Sequence, residues 1–356
     1  IIDVSNNGKQ PMLYKDNSII YNGEIYNFED LKFNLNNKDF ISTSDTEILL
    51  RSISEMGILD TLKATNGMFA FGVYNVSENK LTLARDRFGV KPLYIIHNKD
   101  FIAFSSELKA LKEFINGGLN YDAVYDYFTL GYVPHSKSIF ENVIKLQPAT
   151  ILEFNLIDNS FEKQIYWNSK QDNLSDRITI SDPKKELKNL LIDSVDKRLI
   201  SDRKVGVFLS GGIDSSLVTS IISKELNQNI EAFTVGFDHS HKDESVAAKE
   251  IADFLNIKHH IFHLNSKKAI HYLNLMNDIF DEPFADTSSC AYLFLSEQTA
   301  KHVTVSLSAD GGDEFFGGYY KYEYTLKTLN YWNSLPDIVQ KIFLKNKHIF
   351  KNIPYL

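Results

Sequence analysis

The sequence predicts a mixed α/β protein with a strand-rich first half and a doubly wound parallel sheet in the second half. Residues 1–167 contain short apolar, β-forming runs separated by glycine and asparagine turns. From residue 181 onward, apolar runs alternate with segments of helical periodicity, an order typical of a parallel sheet covered by helices. We therefore predict domains at 1–167 and 181–356, joined by a polar linker at 168–180.

The composition favours a globular protein and argues against several classes of partner. A chain of 356 residues with 43% hydrophobic and 24% charged residues is long enough for two domains with separate cores. A net charge of −8 argues against nucleic acid as the main partner. The single cysteine, Cys290, excludes an intramolecular disulfide and fits a reducing compartment. No signal peptide and no apolar run of membrane-spanning length is present, so we predict a cytoplasmic protein without a membrane partner.

The elements of the first half follow from its apolar runs. Helical periodicity appears at residues 46–56 and 106–111. These segments predict two layers of strands with helices outside. The predicted strands are residues 18–21, 69–74, 81–85, 93–96 and 101–105.

The elements of the second half alternate between strand and helix. Ser181, Asp182 and Pro183 predict a capped helix start. Because ligands of such sheets bind beyond the carboxyl ends of the strands, one crevice is predicted near Leu209, Val235 and Leu307. The predicted strands are 205–209, 231–237, 259–264 and 303–307, and the later helices are 246–255, 267–280 and 292–300.

The segment 210–216, Ser-Gly-Gly-Ile-Asp-Ser-Ser, predicts an anion site after the first of these strands. Its glycines let the backbone approach a ligand, and a helix that starts near Ser215 directs its N–H groups and dipole at the same point. Asp214 could hold a divalent cation there. The Walker pattern is absent. The segment resembles the PP-loop of enzymes that cleave ATP to AMP and pyrophosphate.

A second glycine-rich acidic segment, 308–314, follows the last strand. Carboxylates at a strand end suit Mg²⁺-assisted phosphate chemistry, although an acidic solvated turn is the alternative. The segment is similar to the second signature of asparagine synthetases, with Ala309 in place of a glycine. Residues 281–288 also resemble the segment of that family that lines the amino-acid substrate pocket.

The two resemblances together imply an ATP·Mg²⁺ site. Magnesium would be held by Asp214 and Asp313. The residues implied in ATP binding are Leu209, Ser210, Gly211, Gly212, Asp214, Ser215, Ser216, Val235, Ser308, Ala309, Asp310 and Gly311.

The first half resembles the glutaminase part of class II glutamine amidotransferases, specifically those fused to asparagine synthetases. This resemblance implies an N-terminal-nucleophile αββα sandwich. It covers nearly the whole half, through segments 10–12, 22–27, 44–47, 67–71, 84–94 and 105–111.

The glutaminase resemblance also implies roles for four residues. The Asn22 side chain and the Gly23 N–H would form an oxyanion hole, which acts on charge that appears only in the transition state. Glu24 and Asp45 would bind the α-ammonium group of glutamine. The nucleophile of the family, an N-terminal cysteine, would stand upstream of Ile1, and so would the arginine that binds the glutamine carboxylate. We therefore expect residues 1–356 alone not to hydrolyse glutamine.

Two other features are predicted to be structural. Arg85, Asp86, Arg87 and Lys91 are expected to form a buried polar scaffold without a catalytic role. The histidines of the second half lack the spacing of a metal motif and are expected to pack or face solvent. These are His239, His241, His259, His260, His263 and His271.

Taken together, the resemblances imply a ligase that makes asparagine from aspartate, ATP and glutamine, with AMP as a product and ATP and Mg²⁺ as cofactors. A homodimer is one assembly that we consider. Two alternatives keep the adenylating half: amidation of another carboxylate, and a β-lactam-forming synthetase whose glutaminase half is inactive. A third is a non-catalytic nucleotide-binding scaffold, which would predict loss of Asp214 or Asp313, and both are present.

Overall fold

The computed structural model describes residues 1–169, 180–238 and 243–345. The predicted linker therefore lies mostly outside the described residues, as do His239 and His241. Within the described part of the chain, no helix is long and apolar enough to cross a membrane.

The strands begin and end close to the predicted positions, and several were not predicted. In chain order they are β1 (Met12–Tyr14), β2 (Asn17–Ile25), β3 (Gly67–Asn75), β4 (Lys80–Arg85), β5 (Tyr94–His97), β6 (Ile102–Ser105), β7 (Ile144–Lys145), β8 (Thr150–Asn155), β9 (Ser160–Ile165), β10 (Val205–Phe208), β11 (Glu231–Phe237), β12 (Lys258–Leu264) and β13 (Val305–Leu307).

The helices alternate with these strands in the second half and flank them in the first. In chain order they are α1 (Phe28–Asn34), α2 (Asp45–Met56), α3 (Ile58–Ala64), α4 (Tyr121–Leu130), α5 (Pro183–Arg198), α6 (Ile213–Ser220), α7 (Ser245–Leu255), α8 (Ser266–Ile279), α9 (Ser289–Thr299), α10 (Gly312–Phe316), α11 (Tyr320–Ser334) and α12 (Asp337–Lys345). A π-helical turn, Ile221–Glu225, continues α6, and Leu108–Phe114 forms a 3₁₀ helix.

The first half of the described chain forms four layers. An antiparallel sheet of order β1-β2-β3-β4-β8-β9 packs on a smaller antiparallel sheet of order β6-β5-β7, with Leu83 and Ile95 in the core between them. Helices α1 to α3 cover the outer face of the large sheet, where Leu49 packs. The 3₁₀ helix and α4 cover the outer face of the small sheet through Leu108 and Ala123. The predicted αββα sandwich is confirmed.

The second half contains a parallel sheet of order β12-β11-β10-β13. On one face, Val195 of α5 and Ala248 of α7 pack with Val207. On the other face, Leu295 of α9 packs with Phe233 of β11. With helices on both faces, the predicted doubly wound arrangement is confirmed.

Some predicted boundaries were wrong by two or three residues. Helix α6 begins at Ile213 rather than near Ser215, because Gly212 is its N-cap residue. Helix α9 begins at Ser289 rather than Tyr292. The segment predicted as helical at 106–111 is the 3₁₀ helix Leu108–Phe114.

Candidate active sites

The larger candidate site is a cavity of about 1010 Å³ beyond the carboxyl ends of β10, β11 and β13, which we call the sheet-edge cavity. It lies where open α/β sheets bind their ligands. Its wall includes ten of the sequence-predicted residues: Leu209, Ser210, Gly212, Asp214, Ser215, Val235, Ser308, Ala309, Asp310 and Asp313. Gly211, Ser216 and Gly311 belong to the same loops but do not line it.

The loop after β10 is preorganised by its own hydroxyl groups. The Ser210 N–H donates to Ser215 Oγ at 3.0 Å, and the two serine hydroxyls are 2.8 Å apart. The Gly212 N–H donates to Ser210 Oγ at 3.1 Å. No side chain caps the N-terminus of α6, so its first N–H groups are available to an anion in the sheet-edge cavity.

The two carboxylates predicted to bind metal lie on the wall of this cavity. Asp214 is in the first turn of α6 and Asp313 in the first turn of α10. A β-carbon on Gly312 would collide with the Asp214 carboxylate, and one on Gly318 would collide with that of Asp313. Among the described residues, neither carboxylate has a hydrogen-bond or ion-pair partner. Mg²⁺ prefers oxygen ligands such as these two unpaired carboxylates, so the residues of the cavity wall fit the ion.

Asp310 is oriented by two hydroxyl groups. Ser308 Oγ donates to its carboxylate at 2.5 Å, and the Tyr292 hydroxyl donates at 3.3 Å. Burial, followed by the nearby Asp310 charge, raises the pKa of Tyr292, so this hydroxyl stays protonated and remains a donor. Gly311 follows with φ of +94°, a conformation that favours glycine.

The second candidate site, which we call the β2 pocket, has a volume of about 340 Å³. All four residues predicted for glutamine binding, Asn22, Gly23, Glu24 and Asp45, lie on its wall. Gly23 pairs with Phe69 of β3 so closely that a β-carbon would overlap Met68 and Phe69 backbone atoms. The other residues of its wall are Ile1, Ile2, Gly8, Gln10, Tyr21, Ser44 and Thr46.

The two carboxylates of the β2 pocket differ in how they are held. Asp45 Oδ2 accepts the Tyr21 hydroxyl at 2.7 Å and the Ile25 N–H at 2.9 Å. Glu24 is less constrained, and its Oε2 lies 3.3 Å from the nitrogen of Ile1. Burial raises the pKa of both carboxyl groups. A bound cation would offset the cost of burying these negative charges, which suits a pocket for an ammonium group.

The Asn22 side chain is exposed at the mouth of the β2 pocket. Its Nδ2 donates to Ser106 Oγ at 3.0 Å. Since an amide nitrogen has two donor hydrogens, one remains for a substrate oxygen.

Two family models match the chain in tandem. A glutamine amidotransferase domain matches residues 1–167, and an asparagine synthase domain matches residues 186–353. The chain thus joins a glutamine amidotransferase domain to an asparagine synthase domain. The β2 pocket belongs to the amidotransferase domain, and all the residues that line the sheet-edge cavity belong to the synthase domain.

The names of curated relatives combine glutamine hydrolysis with asparagine synthesis. A putative glutamine-hydrolysing asparagine synthetase 2 of Methanocaldococcus jannaschii is 38% identical over an alignment of 346 positions, which covers 90% of this chain and 65% of that protein. Glutamine-hydrolysing asparagine synthetase 1 of Bacillus subtilis is 35% identical over an alignment of 358 positions, which covers 97% of this chain and 54% of that protein. The chain is therefore homologous to proteins of that name and spans somewhat over half the length of these two relatives.

Solved structures give weaker likenesses. Glutamine phosphoribosylpyrophosphate amidotransferase of B. subtilis is 16% identical with a TM-score of 0.33, covering 73% of this chain and 49% of that one. The NH₃-dependent NAD synthetase of Campylobacter jejuni is 20% identical with a TM-score of 0.29, covering 38% of this chain and 60% of that one.

Arg85 at the end of β4, with Asp86 and Arg87 just after it, forms a polar scaffold, as predicted. Asp86 is 1% exposed. Its carboxylate accepts the N–H of Phe69 on β3 and that of Lys91 in the loop after β4. The Arg85 and Arg87 guanidinium groups donate to backbone carbonyl oxygens. Lys91 takes part through its backbone, and no scaffold role is shown for its side chain.

The synthase domain also contains a Glu–His–His cluster that the sequence did not predict. Single ligand atoms of Glu231, His260 and His302 lie within 4.8 Å of one another at the amino end of the parallel sheet. However, Lys204 Nζ and Lys258 Nζ lie 2.6 and 3.3 Å from Glu231 Oε1. Two ammonium groups already balance this carboxylate, so the cluster is an ion-pair network rather than a cation site.

Several residues of the sheet-edge cavity were missed from the sequence. Glu244 Oε2 accepts the Gly211 N–H at 3.1 Å, and it reaches the loop from the residue before α7. Tyr292 enters from the first turn of α9, close to Ser288 of the predicted segment 281–288. No short motif marks Glu244 or Tyr292, and only the packing of α7 and α9 onto the sheet brings them to the loop.

Proposed function

We propose that the full-length protein is a glutamine-dependent asparagine synthetase located in the cytoplasm. Its amidotransferase domain, 1–167, would release ammonia from glutamine, and its synthase domain, 181–356, would activate aspartate with ATP. The predicted linker is 168–180. The observation that supports this most is the coincidence of each pocket with the family motifs of its own domain: Asn22, Gly23, Glu24 and Asp45 in one, and 210–216 with 308–313 in the other. A homodimer stays a prediction.

In the synthase domain, a side-chain carboxylate oxygen of aspartate attacks the α-phosphorus of ATP. The bond between the α-phosphorus and the bridging oxygen breaks, and pyrophosphate leaves. The hydroxyl groups of Ser210 and Ser215 and the first N–H groups of α6 offset the charge on this leaving group. Mg²⁺ bound by Asp214 and Asp313 would supply further positive charge there.

Ammonia then attacks the activated acyl carbon, the bond from that carbon to the AMP oxygen breaks, and the nitrogen loses a proton. Asp310 is the carboxylate on the cavity wall that two hydroxyl groups hold in place, and it can take up this proton. The products are asparagine and AMP.

In the amidotransferase domain, Asn22 and Gly23 would donate hydrogen bonds to the oxyanion formed from the glutamine amide. Glu24 and Asp45 would bind the α-ammonium group. The nucleophilic cysteine implied by the family resemblance is not among residues 1–356, where Cys290 is the single cysteine and lies on α9 beside Met276. The proposal for this half-reaction therefore concerns the full-length protein.

The test is a product analysis of the full-length protein with ATP, Mg²⁺, ammonia and a panel of carboxylates. We expect aspartate to be the preferred substrate, with asparagine, AMP and pyrophosphate formed in equal amounts. Preference for another carboxylate, with AMP still formed, would keep the adenylating chemistry and reject asparagine synthesis. Absence of AMP with every carboxylate would reject both.

A further inference from the structure

The loop 280–288, which joins α8 to α9, belongs to the synthase domain but contacts the amidotransferase domain through buried polar groups. Sequence resemblance assigned 281–288 to the wall of an amino-acid pocket. The structure places Ser288 on the wall of the sheet-edge cavity, whereas the side chains of Asp281 and Glu282 reach the amidotransferase domain. One short loop therefore contacts both the sheet-edge cavity and the amidotransferase domain.

Glu282 makes the most buried of these contacts. Its carboxylate is 9% exposed and lies 2.6 Å from Lys145 Nζ on β7, which is itself 12% exposed. The Ile139 N–H donates to Oε1 at 2.8 Å, and the Tyr94 hydroxyl donates to Oε2 at 3.3 Å. Burial, followed by the Glu282 charge, raises the pKa of Tyr94, so this phenol remains a donor.

Asp281 completes the end of a helix in the other domain. The 3₁₀ helix Leu108–Phe114 has no capping side chain from its own N-cap residue, Glu107. Asp281 Oδ2 instead accepts the Leu108 N–H at 2.5 Å, and Oδ1 accepts that of Lys109 at 3.4 Å. A further backbone bond joins the Ala285 N–H to the Gly131 carbonyl at the end of α4, at 2.8 Å.

These contacts are directional, and removing one partner of a buried pair strongly lowers stability. A buried carboxylate that loses its ammonium partner leaves an uncompensated charge, so Glu282 and Lys145 favour one arrangement of the two domains over shifted ones. The same loop continues through Asp286, which accepts the Ser288 N–H and hydroxyl, both at 2.8 Å. Ser288 in turn is the N-cap residue of α9, whose Tyr292 lines the sheet-edge cavity.

We propose that Asp281 and Glu282 are interdomain positioning residues, which fix the α9 wall of the sheet-edge cavity against the small sheet of the amidotransferase domain. This inference rests on the proposed function, in which ammonia made in one domain is used in the other. Ammonia that escapes between the domains is protonated and diluted in water, so transfer depends on how they are docked. Loss of the Asp281 and Glu282 contacts uncouples glutamine hydrolysis from asparagine formation without changing either active site.

The experiment compares E282Q, K145M and the double variant in the full-length protein, with the exposed E250Q as the matched control. Three rates are measured: glutamine hydrolysis, ammonia-dependent synthesis, and asparagine formed per glutamate released when glutamine is the nitrogen source. We expect E282Q and K145M to keep the first two rates and to lower the third ratio at least about fivefold, the lower end of measured couplings between sites. E250Q should match the wild type.

A single variant that leaves a buried charge can fail to fold, whereas removing both charges is often tolerated. The double variant should therefore fold and still show the low ratio. A wild-type ratio in any folded variant of the pair would overturn the inference. Absence of asparagine synthesis in the wild-type protein would reject the proposed function instead.

Hydrogen exchange in the wild-type protein gives a test that requires no variant. The Leu108 and Ile139 amides should exchange as slowly as amides within β5, because each is bonded to a buried carboxylate. If these two amides exchange as fast as exposed loop amides, the interdomain contacts of Asp281 and Glu282 are not stable, and the inference is wrong.

Discussion

The Tyr21 hydroxyl donates a hydrogen bond of 2.7 Å to Asp45 Oδ2, and the two side chains lie on different elements, β2 and the start of α2. Burial raises the pKa of Asp45, and the hydrogen bonds from Ile25 and Tyr21 oppose that rise. The wall of the β2 pocket therefore holds a carboxylate whose ionisation depends on a neighbouring phenol.

This relationship predicts a pH dependence of glutamine binding. The α-ammonium group requires ionised Asp45, so affinity should fall as the pH falls through the raised pKa. Y21F removes a bond that favours the carboxylate and should move the midpoint to higher pH. The measurement is the pH profile of KM for glutamine, with Y74F as a control, since Tyr74 bonds Asn79 instead. An unshifted profile in Y21F would contradict the assignment of Asp45.

The oxyanion role of Asn22 predicts a selective loss of one half-reaction. N22A should lower glutaminase turnover by about 10²-fold or more, since one transition-state donor is removed. Ammonia-dependent synthesis should be unchanged, because Asn22 lies in the β2 pocket and not in the sheet-edge cavity. N116A, which alters an exposed asparagine of the same domain, serves as the control. A parallel fall in both activities of N22A would mean that the two sites are not separate.

The metal role of Asp214 predicts weaker nucleotide binding. D214N keeps the shape of the side chain but removes one of the two carboxylates available to Mg²⁺, and it should weaken ATP·Mg²⁺ binding at least about tenfold, equivalent to about 1.4 kcal/mol. Titration calorimetry of the full-length protein measures this, with the exposed D196N as the control. Equal affinity in D214N and D196N would remove Asp214 from the site.

The Glu231 network predicts a pH-dependent stability. Hydrogen bonds from Lys204, followed by those from His260 and Lys258, lower the pKa of Glu231 from 4.5 to about 2, although burial opposes the shift. Because the folded pKa is lowered, the contribution is complete above pH about 4.5 and is lost as the pH falls towards about 2. E231Q should lower the free energy of unfolding by about 1 kcal/mol at neutral pH, since the two lysines are exposed and their charges are screened.

Denaturant unfolding at pH 7 and pH 3 checks this. The difference in free energy of unfolding between E231Q and the wild type should be smaller at pH 3 than at pH 7. D253N, which alters an exposed i,i+4 pair, should differ little from the wild type at either pH. A difference for E231Q that does not change with pH would contradict the charged network.

Much of the fold could be predicted because its signals are local. Apolar runs such as Val205–Phe208 and the helical periodicity of α2 are determined by a few neighbouring residues. The glycines at 211, 212 and 311 marked both loops of the sheet-edge cavity for the same reason. The edge strand β9 was missed, since all its residues are exposed and carry no apolar alternation.

The rest depends on contacts between residues far apart in the chain. Glu244 reaches Gly211 across 33 positions, and Glu282 reaches Lys145 across 137. The Glu231, His260 and His302 cluster arises from strand register and from the turn after α9, which no spacing rule contains. The resemblance at 281–288 pointed to a pocket wall, where Ser288 lies, but it gave no sign that Asp281 and Glu282 contact the other domain.

In the proposed reaction, the carboxylate of aspartate directly attacks the α-phosphorus of ATP in the sheet-edge cavity. Aspartate labelled with oxygen-18 in the side-chain carboxylate tests this in the full-length protein with ATP, Mg²⁺ and ammonia. The attacking oxygen stays with phosphorus when ammonia cleaves the acyl bond, so one labelled oxygen should appear in AMP for each asparagine formed. Label in inorganic phosphate together with ADP, or unlabelled AMP, would contradict the account.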